Sequence, residues 1–293
     1  MIKKAYKWIK KKGSMLYVPE WMTNQDGYIY LPHRRKAFRR DASWANWDEQ
    51  SEDTLSVDQD NDGVEDTYIC FFENPTAGGN ETGRGVVTGS DLVLTQEGNV
   101  AGATGSPPYR TMDGSDDGFY PTDAWLNALF AGQTEWTLII KCYMDSADIA
   151  YLVDFEDTDA RININNDTSS SPGNLRFGLT DTDNAFETKL ASNDISTQDD
   201  QVCYLCVWTS AIDGVSRGGW CAAGAGSGAN GQPTKWSDFA TGDRVEFTGL
   251  FDNFATYSSP VHNRIFGLSG SDYTQGRLYY VIGAKTCLID NSA

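Results

Sequence analysis

The sequence predicts a mainly β protein whose larger part is an antiparallel sandwich, and three observations carry that expectation. From about residue 106 onward, short alternating segments are separated by clusters of Gly, Asn, Asp and Ser, which is the spacing of a sandwich. The 293 residues include 29 Gly and 12% aromatic side chains with few long apolar runs, a composition of strands and turns. The chain is also long enough to bury a real core without covalent staples. Three regions are expected: an N-terminal arm over 1–57, a connecting region over 58–105 and the sandwich over 106–293.

The arm begins with MIKKAYKWIKKKG, in which Ile2, Tyr6 and Ile9 fall at i, i+4 and i+7 and Gly13 offers a C-terminal stop. This pattern predicts a short basic amphipathic helix, too short to be stable alone and therefore ordered on a partner. Charge interrupts it throughout, so it lacks the apolar run of a secretory signal, and no segment of the sequence reads as a membrane-spanning helix. Residues 14–57 read as irregular, with Trp21, Tyr28, Tyr30, Trp44 and Trp47 surrounding HRRKAFRR. An irregular, partly helical arm results.

Charge divides the chain sharply. The first forty residues carry eleven basic groups, Lys3, Lys4, Lys7, Lys10, Lys11, Lys12, Arg34, Arg35, Lys36, Arg39 and Arg40, against Glu20 and Asp26, a net of +9. The remaining 253 residues hold 12 basic and 39 acidic groups, a net of −27. The eleven cations are expected to dock the arm on something negative. Basic groups among aromatics suit nucleic acid or an acidic protein surface equally well. With no nucleic-acid-binding motif beside them, protein contact is favoured.

The connecting region holds DQDNDGVED, in which Asp58, Asp60, Asp62, the Val64 carbonyl and Asp66 reproduce the spacing of a calcium loop, with Gly63 at the tight turn. Ile69 stands where an EF-hand places its bidentate Glu, so the loop is closer to the short aspartate loops of thrombospondin type 3 repeats. Calcium with a structural role is the expected cofactor; an acidic Asx-turn loop is the alternative.

In the sandwich, strands are expected at 135–144, 149–155, 160–165, 174–179, 184–190, 201–209, 216–222, 263–268 and 276–283. A helix is expected from Asp123 to Phe130, with Asp123 as its cap. The cysteines, Cys70, Cys142, Cys203, Cys206, Cys221 and Cys287, mostly lie in apolar strand-like runs and are expected to be buried free thiols. Cys203 and Cys206 have no second pair to complete a zinc site, and in a strand they face opposite ways.

The run YRTMDGSDDGFYPTDAWLNALFAGQTEWTLIIKCYM, followed by YLVDF, RININ, LRFGL, VCYLCVWT and GRLYYVIGA, resembles the concanavalin A-like jelly roll, and its laminin-G-like branch in particular. The resemblance covers about residues 106–290 and rests on strand order and texture. It implies a sandwich of the kind found in glycan-binding modules, polysaccharide-cleaving enzymes and bacteriophage tail or capsid surfaces. The basic arm, the lack of an export signal and the free cysteines fit the phage group best. A virion structural or decoration protein on the particle surface is therefore expected, bound to other virion subunits through its arm, oligomeric or part of a large assembly, and displaying a lectin-like domain to host or environmental glycan. An extracellular glycan-binding module or polysaccharide-degrading enzyme is the alternative.

Catalytic signals are thin, and no catalytic residue is assigned. Only His33 and His262 exist, and no GxSxG elbow is present. VDFED places Asp154 and Glu156 on one strand face, but Leu152 stands where the glucanase pattern needs another acid. For sugar binding, the expected platforms are Trp220, Trp236, Tyr257 and Tyr273, which lie in Gly-, Ser- and Asp-rich segments; burial as packing residues is the competing fate. The Gly-rich stretch 222–231 reads as a long hairpin loop.

Overall fold

The computed structural model of the chain describes residues 6–11, 14–19, 28–31, 36–40, 47–50, 54–57, 67–71, 81–87, 90–98, 100, 104–105, 108–144, 151–167, 173–194, 202–227, 232–258, 262–267 and 274–289, with side chains described between Leu94 and Ile289. The N-terminal region is a sheet. Strands β1 (Tyr6–Lys11), β2 (Ser14–Pro19), β3 (Tyr28–Leu31), β4 (Lys36–Arg40) and β5 (Trp47–Gln50) pair in the order β2-β1-β5-β4-β3.

Among the described residues, this corrects the amphipathic helix expected over 1–12, since 6–11 is a strand, and replaces irregular structure with strands at 14–19, 28–31, 36–40 and 47–50. Tyr6 to Lys11 forms a hairpin with Ser14 to Pro19, Lys11 opposite Ser14 and Tyr6 opposite Pro19. Aromatic and β-branched residues dominate YKWI, no capping residue precedes it, and a partner strand satisfies every second backbone group where a lone short helix would not nucleate. Of the eleven docking cations, Lys7, Lys10 and Lys11 lie in β1 and Lys36, Arg39 and Arg40 in β4. Lys3, Lys4, Lys12, Arg34 and Arg35 lie outside the described residues.

Next come β6 (Thr54–Val57) and β7 (Thr67–Phe71), paired with Val57 opposite Thr67. The expected calcium ligands Asp58, Asp60, Asp62, Val64 and Asp66 fall between these strands, outside the described residues. The chain continues through β8 (Glu81–Val87), β9 (Ser90–Glu97), β10 (Thr104–Gly105), β11 (Pro108–Asp113) and β12 (Gly118–Pro121) to helix α1 (Asp123–Leu129). The remaining strands are β13 (Trp136–Met144), β14 (Tyr151–Asp157), β15 (Ala160–Asp167), β16 (Asn174–Thr180), β17 (Glu187–Asp194), β18 (Val202–Ser210), β19 (Val215–Ala222), β20 (Arg244–Glu246), β21 (His262–Ile265) and β22 (Gln275–Ala284).

Two antiparallel sheets form the sandwich. One has the order β10-β11-β22-β13-β18-β19-β20, extended by β7 on β22 and β6 on β7; the other has the order β17-β16-β15-β14-β21-β12-β9-β8. Pairing of β11 with β22, the last strand, ties the start of the sandwich to its end. Strands β6 to β9 also join these sheets, which therefore reach back into the connecting region.

Alternation explains the core. Leu138, Ile140 and Cys142 from β13 and Leu205 and Val207 from β18 meet Val153, Phe155, Ile162, Ile164, Phe177 and Leu179 from the second sheet. Glycine permits the closest approach: a Cβ on Gly218 would sit 2.8 Å from the Phe177 ring. Helix α1 packs Trp125, Leu126, Ala128 and Leu129 into this core and is the one α-helix among the described residues. Its cap is Thr122, whose hydroxyl accepts from the Trp125 N–H at 3.3 Å, so Asp123 belongs to the first turn instead of capping it. Trp125, Phe130, Trp136, Phe155 and Phe254 form an edge-to-face aromatic group beneath it.

The outer face of the first sheet is covered. Ile139, Tyr204, Cys206, Trp208 and Ile282 form a second apolar cluster with Phe239, Leu288 and Ile289 from the segments that lie across them. Among the residues whose side chains are described, Cys142, Cys203, Cys206 and Cys221 are free and buried, and Cys287 is free and partly buried. Cys203 belongs to the inner cluster and Cys206 to the outer one, as opposite-facing strand positions require.

Candidate functional site

The outer face of the second sheet is lined by polar side chains along β14 and β15, some of them buried in a network of their own. In β14, Val153 and Phe155 enter the core, which turns Asp154 and Glu156 outward; in β15, Ile162 and Ile164 enter it, which turns Arg161, Asn163 and Asn165 outward. Register places Asn163 beside Asp154 on one side and Gly178 on the other. Asp154 and Arg264 are also opposed, and the pairing of Phe119 with Ile265 sets Tyr120 beside Arg264. A strip therefore runs across the sheet from Gly178 through Asn163, Asp154 and Arg264 to Tyr120, about 19 Å over four strand intervals.

The centre of the strip is a closed network. Asp154 has no exposed surface and accepts from Asn163 Nδ2 at 2.9 Å, Arg161 Nε at 3.1 Å and Arg161 Nη2 at 3.4 Å. Arg161 Nη1 reaches Glu156 Oε1 at 3.4 Å. One guanidinium thus pairs with two carboxylates, and its forked contact offsets the cost of holding Asp154 away from water. At the other end of the strip Arg264 pairs with Glu97 through Nε and Nη2 and lies 4.7 Å from the Tyr120 ring centre.

An exposed aromatic flanks this network. Phe186, in the loop before β17, is 47% exposed, and its ring lies over Gly178, where an added Cβ would meet it at 2.8 Å. Arg161 stands 4.9 Å from the same ring. Glycine at 178 is what lets the ring lie close to the sheet. Position 186 is held from both sides. Asp181 accepts from the N–H groups of Asp183 and Asn184 at 3.1 and 2.8 Å, forming the turn that delays β17 to Glu187 where a strand from 184 was expected. Glu187 accepts from the N–H of Thr248 at 2.9 Å and of Gly249 at 3.1 Å, and pairs with Lys189. Partial burial pushes its carboxyl up, but Lys189 and those N–H groups outweigh this and hold it down at about 2.

The aromatics proposed from sequence have other positions. Trp220 and Tyr257 are 3% and 1% exposed and belong to the inner core, so they offer no platform. Trp236 packs against Trp208 and Phe239, with Arg217 and Arg244 each 4.4 Å from its ring centre. Tyr273 lies outside the described residues. Burial won at Trp220 and Tyr257 because their strand or loop positions face inward. Phe186 was read as one residue of a strand, NAFETKL; the signal was a lone aromatic between an Asp/Asn turn and a charged edge.

Asp154 and Glu156 share the outer face as expected, and His262 lies opposite Glu156 in register. Both carboxylates converge on Arg161 instead of on an open position between them. A separate acidic turn, Asp113, Asp116 and Asp117, brings its carboxylate oxygens within 4.8 Å of one another. There Asp113 accepts from the Ser115 N–H at 2.7 Å and Asp117 from the Asp113 N–H at 3.1 Å. Among the described residues, no helix is long and apolar enough to cross a membrane.

Neither a protein-family model nor a curated protein matches the chain. Solved structures give remote similarities. The botulinum neurotoxin serotype D/C binding domain aligns at 12% identity over 75% of this chain and 49% of that one, with a TM-score of 0.45. The binding domain of Paraclostridial Mosquitocidal Protein 1 aligns at 13% identity over 76% of this chain and 49% of that one, with a TM-score of 0.46. This chain therefore spans about half the length of the structures it resembles. At these scores the sandwich assignment rests on the chain's own strand pairing.

Proposed function

We propose that this chain is a glycan-binding β-sandwich module carried on an assembled particle, a virion surface in particular. The observation that carries the binding reading is the half-exposed ring of Phe186 beside the Asp154–Asn163–Arg161 network. Sugars are recognised by stacking their apolar C–H faces on an aromatic ring while fixed polar groups exchange hydrogen bonds with their hydroxyls. This face has both: the half-exposed Phe186 ring, and the partly exposed Arg161 and Glu156, which buried Asp154 and Asn163 help to hold in place before a ligand arrives. Binding is favoured over hydrolysis because Asp154 is enclosed and tied to Arg161 together with Glu156, which leaves no acid and nucleophile poised across a scissile bond.

The particle reading rests on charge. The first forty residues, of net +9, precede a body of net −27, which suits attachment of an outward-facing acidic domain to an acidic subunit surface. In the same reading, the 58–66 segment, which joins β6 to β7, takes calcium in a structural role. Retention on immobilised polysaccharides, measured by affinity electrophoresis, tests the binding reading: the native chain should be retarded and Phe186→Ala should not. An unretarded native chain on a broad panel would remove it. Replacing Arg34, Arg35, Lys36, Arg39 and Arg40 by Glu should prevent incorporation into particles, and full incorporation would refute the arm's role. Calorimetric titration with calcium should give one saturable event, lost in Asp60→Asn/Asp62→Asn; silence at millimolar calcium would overturn that assignment.

A further inference from the structure

We infer that the glycan taken by the outer face of the second sheet is uncharged and hydroxyl-rich, and not sialylated, sulfated or uronate-bearing. This rests on the glycan-binding reading above and adds the substrate class. An anionic sugar is normally gripped by the fork of a guanidinium or by a nest of N–H groups. Here the guanidinium forks beside the strip are spent within the protein. Arg161 directs Nε and Nη2 to Asp154 and Nη1 to Glu156. Arg264 directs Nε and Nη2 to Glu97 and Nη1 to the Asn263 carbonyl. Arg176, further along the face, is also engaged. Drawing Arg161 toward a ligand anion would strip its cation from a carboxylate that has no exposed surface, which is the costly way to break an ion pair.

The unmet demand on this face has the opposite character. Asn165 is half-buried and holds its Oδ1 out of solvent without a hydrogen-bond partner, so a turn of this amide toward the surface offers a ligand an acceptor. It lies on the same outward row as Asn163, two residues and about 7 Å further along β15 from the position beside Gly178 and Phe186. A hydroxyl donates there; a carboxylate or sulfate oxygen cannot. The stacking surface, Phe186, carries no charge, and the body around it repels anions at long range. Sugar ring on Phe186, hydroxyl to Asn165 and no ionic contact is the arrangement these groups accept.

A glycan array carrying neutral, sialylated, sulfated and uronate-containing oligosaccharides, probed with the full chain at 50 and 300 mM salt, decides the matter. The expected result is binding confined to neutral glycans and insensitive to salt, weakened at least tenfold by Phe186→Ala and by Asn165→Leu. Preference for anionic glycans, with affinity falling as salt rises, would overturn the inference and leave the glycan-binding reading intact. Neutral hits that survive both substitutions would overturn this placement of the ligand. An array with no hits removes the glycan-binding reading, and the inference with it. The salt series on the unaltered chain reads out even where a variant is poorly folded.

Discussion

Replacing Glu187 by Gln removes one charge from the clamp that holds Phe186 in place, and the structure sets both the size and the pH dependence of the loss. The carboxylate accepts from two backbone N–H groups of the 248–249 loop and pairs with Lys189 at 2.8 Å. Its folded value of about 2 lies roughly two units below the ~4.3 of an unfolded Glu, a ceiling of about 3 kcal/mol. The side chain is 22% exposed, so solvent screening reduces this, and about 1–2 kcal/mol at pH 7 is expected. The folded value is depressed, so this stabilisation is present above the unfolded value and disappears as pH falls from about 5 toward 2. Urea denaturation of both proteins at pH 7 and pH 3 measures it. The difference between wild type and Glu187→Gln should shrink by about half at pH 3, whereas general acid destabilisation affects both proteins alike. A difference that is absent at pH 7, or identical at the two pH values, would refute the argument.

Two further outcomes follow from packing. Cys142, Cys203, Cys206 and Cys221 are buried, with burial pushing the thiols of Cys142, Cys206 and Cys221 up, so these four should ignore an aromatic disulfide reagent at pH 8 until the chain is unfolded; their rapid labelling in the native protein would contradict the packing described. Gly178→Ala should leave stability within about 1 kcal/mol, because gain in strand propensity offsets lost packing. It should nevertheless displace Phe186 by roughly 0.7 Å or more, since carbon atoms pack at 3.5–4.0 Å. Glycan affinity should fall about tenfold, by titration, and unchanged affinity would show that the ring is not the platform.

The strands of the sandwich were legible in the sequence because two independent signals agreed, apolar alternation and turn residues at short intervals. WTLIIKCYM, VCYLCVWT and GRLYYVIGA lie within or close to the strands found. The N-terminal sheet was not legible. Three apolar residues at helical spacing in a lysine-rich segment are also compatible with a hairpin, and the deciding fact, a matching partner strand at 14–19, is non-local. Capping failed for a smaller reason: Thr122 and Asp123 are both good capping residues, and only backbone geometry distinguishes the cap from the first turn.

Which face of the sandwich is polar follows from the same alternation. In β13 and β18 almost every position is apolar, and such a strand must be covered on both faces. The 232–239 and 285–289 segments supply that cover, placing Phe239, Leu288 and Ile289 over Ile139, Tyr204, Cys206 and Trp208. In β15, ARININND, isoleucine alternates with Arg and Asn, so one face enters the core and the other is polar. Aromatic residues near the first sheet were therefore destined for packing, as Trp220 and Trp236 show, and a platform reachable by ligand had to lie beside the alternating strands. Phe186 stands there because Gly178 leaves room beneath it and because Asp181 and Glu187 fix the chain on either side. The polar row of β15, more than the abundance of tryptophan and tyrosine elsewhere, marks the position of the proposed glycan site.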